Sequence, residues 1–322
     1  MALQEIVKKF QFDRVLTSNP QTKTVALLGF IDGKQAIISF EKSHFLISKN
    51  DSLQTAQSFL TSILDVKPIT ENDVYHWGLI TLFQDIEKTP AAKLNLIYPA
   101  TETHIKKYDQ QKYHLINETP ELYQKYVEPY IQTMVGERIK WVKNILFEGY
   151  EAESVIYRYE DKNNGFILLP DMKWDGINID SLYILAIVFR EDIKSLRDIN
   201  ITHKEWLKDI NIRIRNSISK HYKNAVWPDE LRLFVHYQPS YYHFHIHAVN
   251  IAHDGLGNGI AVGKAILLED IIEQLDFLGE KGFAQKTIPY IIGENHDLWK
   301  KGFKEEHYRN LTEQGFEFLD NK

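Results

Sequence analysis

Apolar and polar positions along the chain change their spacing several times, and each change marks a new element. The first hundred residues read as strand-rich. The runs TVALLGFI and KQAIISFE flank Asp32-Gly33, a pair suited to a two-residue hairpin turn. Residues 52–64 carry apolar side chains at helical spacing. Residues 73–83 and 94–98 read again as strands. Pro99 and the polar stretch TETHIKKYDQQKYH then predict a hinge or linker, made locally basic by Lys106, Lys107 and Lys112.

Past Glu118 the spacing becomes helical. Thr119-Pro120-Glu121 is a helix start, with proline at the first helical position and an acid just after it. The helical pattern runs through Tyr123, Val127, Ile131 and Met134 and resumes through Ile139, Val142 and Leu146. Strands are predicted at 154–159, 165–169 and 182–189, then a long amphipathic helix at 202–221. Two more strands, 231–237 and 242–251, are joined at Pro239-Ser240. A helix at 266–278, a strand at 287–292 and a closing helix from Asp297 complete the chain. The layout is α+β with a mostly antiparallel sheet. It divides into an N-terminal domain at 1–107, a hinge at 108–120 and a C-terminal domain at 121–322.

Composition narrows the classes. At 322 residues, 43% hydrophobic and 25% charged, the chain can bury a sizeable core. A net charge of −6 argues against gripping a long RNA or a DNA duplex along a basic face, but leaves room for a small phosphate-rich ligand. The absence of cysteine excludes disulfides, thiolate metal sites and a cysteine nucleophile. The longest apolar run, residues 182–189, is far short of the ~20 residues needed to span a bilayer. The opening MALQEIVKKFQFDRV, charged in its first turns, does not read as a secretory signal. A cytoplasmic location is expected, with access to the nucleus.

Four of the thirteen histidines lie between His236 and His247, in LRLFVHYQPSYYHFHIHAVNI. Strand alternation puts His243, His245 and His247 on one face and Phe244, Ile246 and Ala248 on the other. His236, alternating with Arg232 and Phe234 on the preceding strand, can sit beside the triplet. An imidazole row suits two chemistries. The middle ring can attack phosphorus while its neighbours orient it and protonate the leaving group. Alternatively, two or three rings can bind a metal. A chance cluster on a solvated strand is the bland alternative.

The string HFHIHAV resembles the histidine triad (HIT) superfamily. HYQPSYYHFHIH, GFILLPDMKWD, SLYILAIVFR, SLRDI and LLEDIIEQL resemble one branch of it, the scavenger mRNA decapping enzymes. NDVYHWGL and LNLIYPATETHIKKY extend the likeness into the N-terminal part, so that it covers about residues 10–300. It is nearest to the fungal members.

The resemblance implies hydrolysis of short capped remnants left by 3′→5′ mRNA decay. The products would be 7-methylguanosine monophosphate and a nucleoside diphosphate. His245 would be the nucleophile of a covalent phosphohistidine step, with His243, His247 and His236 orienting it, binding phosphate and handling the proton. No metal or other cofactor is implied. The cationic methylated guanine favours an aromatic face and a carboxylate, and the matching positions are Trp141 and Glu151. Pro170, Asp171, Met172 and Lys173 match the rest of the cap pocket, and Asn72 and Tyr75 match positions that close over it. Lys107, Lys173, Ser240, Tyr241 and Lys264 match phosphate-binding positions. Lys264 stands where animal members have arginine, and a lysine cannot reproduce a two-pronged grip on phosphate. The resemblance also implies a homodimer built by swapping N-terminal domains, with a lid that closes over each site. Three readings stay open beside this one: a HIT hydrolase of dinucleoside polyphosphates or phosphoramidates, a weakly catalytic cap-binding paralogue and, more distantly, a metal hydrolase.

Overall fold

The computed structural model describes the chain except residues 1–2, 44, 46–51, 172–173, 175, 254–256 and 317–322 and the side chains of Thr103, Lys107 and Asn258. The chain forms two units, Met1–Gln111 and Lys112–Lys322. The first contains α1 (Leu3–Lys8), β1 (Gln11–Asn19), β2 (Thr24–Ile31), β3 (Lys34–Lys42), α2 (Leu53–Thr61), β4 (Ile63–Asn72), β5 (Tyr75–Leu82), β6 (Ala92–Ile97) and α3 (Glu102–Tyr108). Strands β1-β2-β3-β6 make one sheet, and β4-β5 form a separate hairpin. Asp32 and Gly33 join β2 to β3 with φ of 47° and 76°. A turn with positive φ at both central residues matches the right-handed twist of the strands, which is why this pair is found there. Ser52 caps α2 by accepting from the Thr55 N–H at 3.2 Å. The hairpin β4-β5 is exposed along nearly its whole length, including Val66, Ile69, Trp77, Leu79 and Ile80.

The second unit contains β7 (Tyr113–Glu118), α4 (Pro120–Leu122), α5 (Glu128–Met134), α6 (Lys140–Phe147), β8 (Tyr157–Tyr159), β9 (Phe166–Pro170), β10 (Tyr183–Val188), α7 (Lys204–His221), β11 (Leu231–His236), β12 (His245–Asn250), β13 (Ala265–Leu267), α8 (Leu268–Leu278), β14 (Ile288–Gly293) and α9 (Lys304–Glu313). Six strands form one sheet in the order β13-β11-β12-β10-β9-β8, and β7 pairs with β14 apart from it. Every strand pairing among the described residues is antiparallel.

Register decides which residues share a face. Ile187 pairs with Ile167 on one side and His245 on the other; Leu185 likewise pairs with Leu169 and His247. Directly opposed residues lie on the same face, so these two rows make one surface of the sheet. Val142, Ile145 and Leu146 of α6 bury against Ile167, Leu169 and Ile187 of that surface. The other surface, with Leu168, Ala186, Ile246 and Ala248, joins a larger core with Leu207, Ile210, Ile214 and Ile218 of α7. Helices therefore cover both faces, which explains why β9 and β10 read as unbroken apolar runs.

Two expectations need correction. The stretch expected as a polar hinge is mostly folded: α3 buries Ile105, and β7 buries Ile116 and Glu118. Only 109–112 lacks helix or strand around the break between the units. The strand expected at 154–159 is shorter, because Ala152–Ser154 forms a 3₁₀ turn first.

Glu118 closes β7 with a buried ion pair. It is 0% exposed and meets Arg197, 1% exposed, at 2.7 Å. Arg197 donates to Glu118 through Nε and Nη2 and to the Phe283 carbonyl through Nη1. Tyr237 and Gln238 also donate to the carboxylate. Removing one partner of such a pair leaves the other charge buried and uncompensated. Glu118→Leu is therefore expected to lower the unfolding free energy by about 3–5 kcal/mol. Urea titration of tryptophan emission measures it, and an unchanged midpoint would contradict the account.

Candidate active site

The imidazole row is buried. His243, His245, His247 and His236 are 3%, 3%, 5% and 6% exposed, so the solvated-strand alternative fails. His245 and His247 lie on β12, but His243 does not. It sits in the bend before the strand, where its N–H bonds back to the Tyr241 carbonyl. Phe244 N–H goes to Ile193 O, outside the sheet ladder. The connection from β11 is thus a loop of residues 237–244 rather than a tight turn at Pro239-Ser240. Strand alternation alone placed the His243 ring on the row; what the loop brings to His245 is the His243 carbonyl, while the His243 ring reaches Val188 O.

Each imidazole is held by a specific partner. His243 Nε2 lies 2.7 Å from Val188 O, and His236 Nε2 lies 2.7 Å from Gly259 O. His245 Nδ1 lies 2.8 Å from the His243 carbonyl. A carbonyl only accepts, so His245 donates from Nδ1. In the neutral ring the lone pair then resides on Nε2. His247 Nδ1 is 2.8 Å from the Tyr183 hydroxyl. The rings of His236 and His247 are 4.1 Å apart, and those of His245 and His247 5.0 Å. Among the described residues no group of three or more His, Asp or Glu is arranged to hold a metal ion.

Burial is the main force on the titration of His245 and His243. It pushes His245 down from 6.5 to about 4; the bond to His243 O opposes the shift, and electrostatic repulsion from the side of His236, His243 and Lys264 adds to it. His243 is lowered as well, mainly by burial. His245 is therefore neutral near pH 7.

An aromatic path leads outward from the nucleophile. Tyr241 stacks on His245 at 4.1 Å and 14°, and Trp141 meets Tyr241 edge-on at 4.8 Å. Trp141 is 42% exposed at the start of α6. The Tyr241 hydroxyl is buried and meets no hydrogen-bond partner among the described residues. Burial raises its pKa, and the negative charge of Asp171 adds to that. Asp171 follows β9, which ends at Pro170, and is fixed by its N–H to Tyr183 O at 2.9 Å. Ser240 is exposed in the same loop as Tyr241. Lys264 donates to the Gln238 carbonyl at 2.6 Å.

Glu151 is exposed in the turn after α6, at a left-handed φ of 56° that bulky residues rarely adopt. Asn72 and Tyr75 pair across the tip of the β4-β5 hairpin in the first unit, where Tyr75 stacks on Trp77 at 6.0 Å. Met172, Lys173 and the Lys107 side chain fall outside the described residues. Sequence reasoning missed three contributors. Tyr183 supports His247, Phe234 stacks on His247 at 5.1 Å, and Gln238 anchors the loop. A hydroxyl inside the longest apolar run was the one available signal for Tyr183.

Buried imidazoles on two adjacent strands of an antiparallel sheet and in the loop between them, with helices on both faces, define a histidine-triad domain. Comparison with known proteins narrows the class. Residues 5–111 match the family model "Scavenger mRNA decapping enzyme (DcpS) N-terminal", and residues 140–263 match "Scavenger mRNA decapping enzyme C-term binding". The m7GpppX diphosphatase of Schizosaccharomyces pombe is 39% identical over 92% of this chain and 95% of its own length. That of Ascaris suum is 34% identical over 92% and 94%, and that of Homo sapiens 32% over 90% and 84%. The chain belongs to the scavenger mRNA decapping enzyme family.

The lowered histidines couple stability to pH. The folded protein keeps His245 and His243 neutral, while the unfolded chain protonates them below about 6.5. Their stabilising contribution is full above that pH and is lost as pH falls towards about 4, where His245 itself titrates. Unfolding free energy is expected to be on the order of 1–2 kcal/mol lower at pH 5 than at pH 7. Urea midpoints at the two pH values test it, and greater stability at pH 5 would reverse the sign.

Proposed function

We propose that this protein hydrolyses the residual mRNA 5′ cap, releasing 7-methylguanosine monophosphate and a nucleoside or short oligonucleotide diphosphate. The observation that carries the reading is the donation of His245 Nδ1–H to the His243 carbonyl, which leaves the Nε2 lone pair on a neutral ring. Nε2 attacks the phosphorus next to 7-methylguanosine. The N–P bond forms as the P–O bond to the next phosphate breaks, and a neighbouring imidazole protonates the departing diphosphate. Water then attacks phosphorus, giving a proton to the imidazole that had donated one; the P–N bond breaks, and His245 is regenerated. The names of the curated relatives support the same substrate class.

Cap recognition on this reading uses Trp141 as the stacking face, with Glu151, Pro170, Asp171 and Met172 around the base and ribose. The exposed ring of Trp141, joined through Tyr241 to His245, supports that role. Lys107, Lys173, Ser240, Tyr241, Lys264, His236 and His247 serve the phosphates, and Asn72 and Tyr75 belong to a lid. No metal is needed, so activity should persist in chelator. His245→Asn is expected to reduce turnover of methylated cap dinucleotide by at least ~10³-fold. Trp141→Ala should weaken cap binding by ~1–2 kcal/mol. A fully active His245→Asn would sink the mechanism. Equal rates on methylated and unmethylated cap would favour a dinucleoside polyphosphate substrate instead.

The same reading makes the protein a homodimer with swapped N-terminal domains. Support comes from the exposed apolar side chains of β4-β5, which a second copy would cover. Light scattering of the purified protein should give twice the chain mass; a monomer at micromolar concentration would overturn it. The site of action is the cytoplasm, with the nucleus and decay foci as further compartments, which imaging of a tagged chain checks.

A further inference from the structure

The loop 237–244 carries Ser240, Tyr241 and His243 towards the site, but its first two residues are buried on their own account. Tyr237 is 1% exposed and Gln238 6%. Gln238 is held at every polar group of its side chain. Its Nε2 donates to Glu118 Oε2 at 2.8 Å, and its Oε1 accepts from the Tyr242 hydroxyl at 3.0 Å. The backbone is bound as firmly. Tyr237 N–H donates to Lys264 O at 3.0 Å, and Lys264 Nζ returns a bond to Gln238 O at 2.6 Å. Arg197 fixes the other side of the Glu118 carboxylate.

A leucine would fill the volume of Gln238 without burying an amide or calling for a carboxylate. Buried charged networks are a weak source of net stability, so their presence under this loop calls for another role. What they offer is a single geometry, because each donor and acceptor is directional. The geometry matters here: the loop bears the ring stacked on His245, and Lys264 is bonded to it twice.

We infer that Gln238, clamped by the Glu118–Arg197 pair, is a positioning residue that holds the Tyr241 ring over His245 and anchors the Lys264 ammonium on the loop. It touches no reacting atom and acts through those two groups. Glu118 also ends β7, the first strand after the break at 111–112, so the clamp is built from the segment that opens the second unit. For turnover, the inference rests on the proposed function; for geometry, it does not.

The test uses the full-length protein with Gln238→Leu, which keeps volume and removes both side-chain bonds. Tyr242→Phe, which deletes one hydroxyl, serves as the milder second variant. With methylated cap dinucleotide, Gln238→Leu should lower kcat about ten- to hundredfold with KM within about twofold, since small misplacements near a reacting centre have effects of that size. Tyr242→Phe should lower kcat in the same direction by a smaller factor. In a Lys264→Met background the Gln238→Leu effect should shrink to less than about threefold, as expected of residues acting as one unit. A folded Gln238→Leu with kcat within twofold of the parent, or full multiplication of the two effects, overturns the inference. A second arm needs no substrate: diethyl pyrocarbonate modification of His245, mapped by mass spectrometry. His245 should react at least about threefold faster in Gln238→Leu, because a loosened Tyr241 no longer covers the ring. Equal rates overturn the inference. Absence of turnover by the parent protein would sink the proposed function alone and leave the modification arm to decide the positioning.

Discussion

His245 donates its Nδ1 proton to the carbonyl oxygen of His243, 2.8 Å away, and a carbonyl has no proton to give back. That one bond sets the tautomer of the central imidazole and places the lone pair on the opposite nitrogen. It can persist only where water does not compete for the carbonyl, and His245 is 3% exposed. Burial also keeps the ring neutral, because a charged imidazole is poorly solvated there. Orientation, tautomer and protonation state thus share a cause. The bend that takes His243 off the strand is what supplies the carbonyl.

The sheet provides the burial. Pairing of Ile187 with His245 and of Leu185 with His247 carries an apolar surface up to the imidazoles, and α6 covers part of it. The same helix presents Trp141, so the groups that bury the nucleophile also carry the exposed aromatic ring. On the far surface α7 and α8 fill the core. Both faces of the central strands are occupied, and the register has little freedom to slip without exposing one of them.

Much of the architecture was legible beforehand. Asp32-Gly33, the Thr119-Pro120 helix start and the isoleucine spacing of α7 are local signals, and local geometry follows from them. His245 and His247 were legible for the same reason, as a period of two on an apolar strand; His243 fits that period but stands in the bend before it. The polar stretch 101–114 misled because polarity on one face of a short helix or edge strand looks like a linker until Ile105, Ile116 and Glu118 are seen to be buried. Tyr183, Gln238 and the Glu118–Arg197 pair were not legible, since their partners lie tens of residues away.

By itself the sequence determined most element types, the spacing of the histidines and the family likeness, because periodicity and motif depend on neighbours along the chain. Tertiary structure alone decided that His243 acts from a bend, that Tyr241 links Trp141 to His245, and that Lys264 is tied to the loop beneath them. Those facts depend on hydrogen bonds and ring contacts between distant segments. A bond length of 2.8 Å is a property of the folded chain, and no spacing in the sequence encodes it.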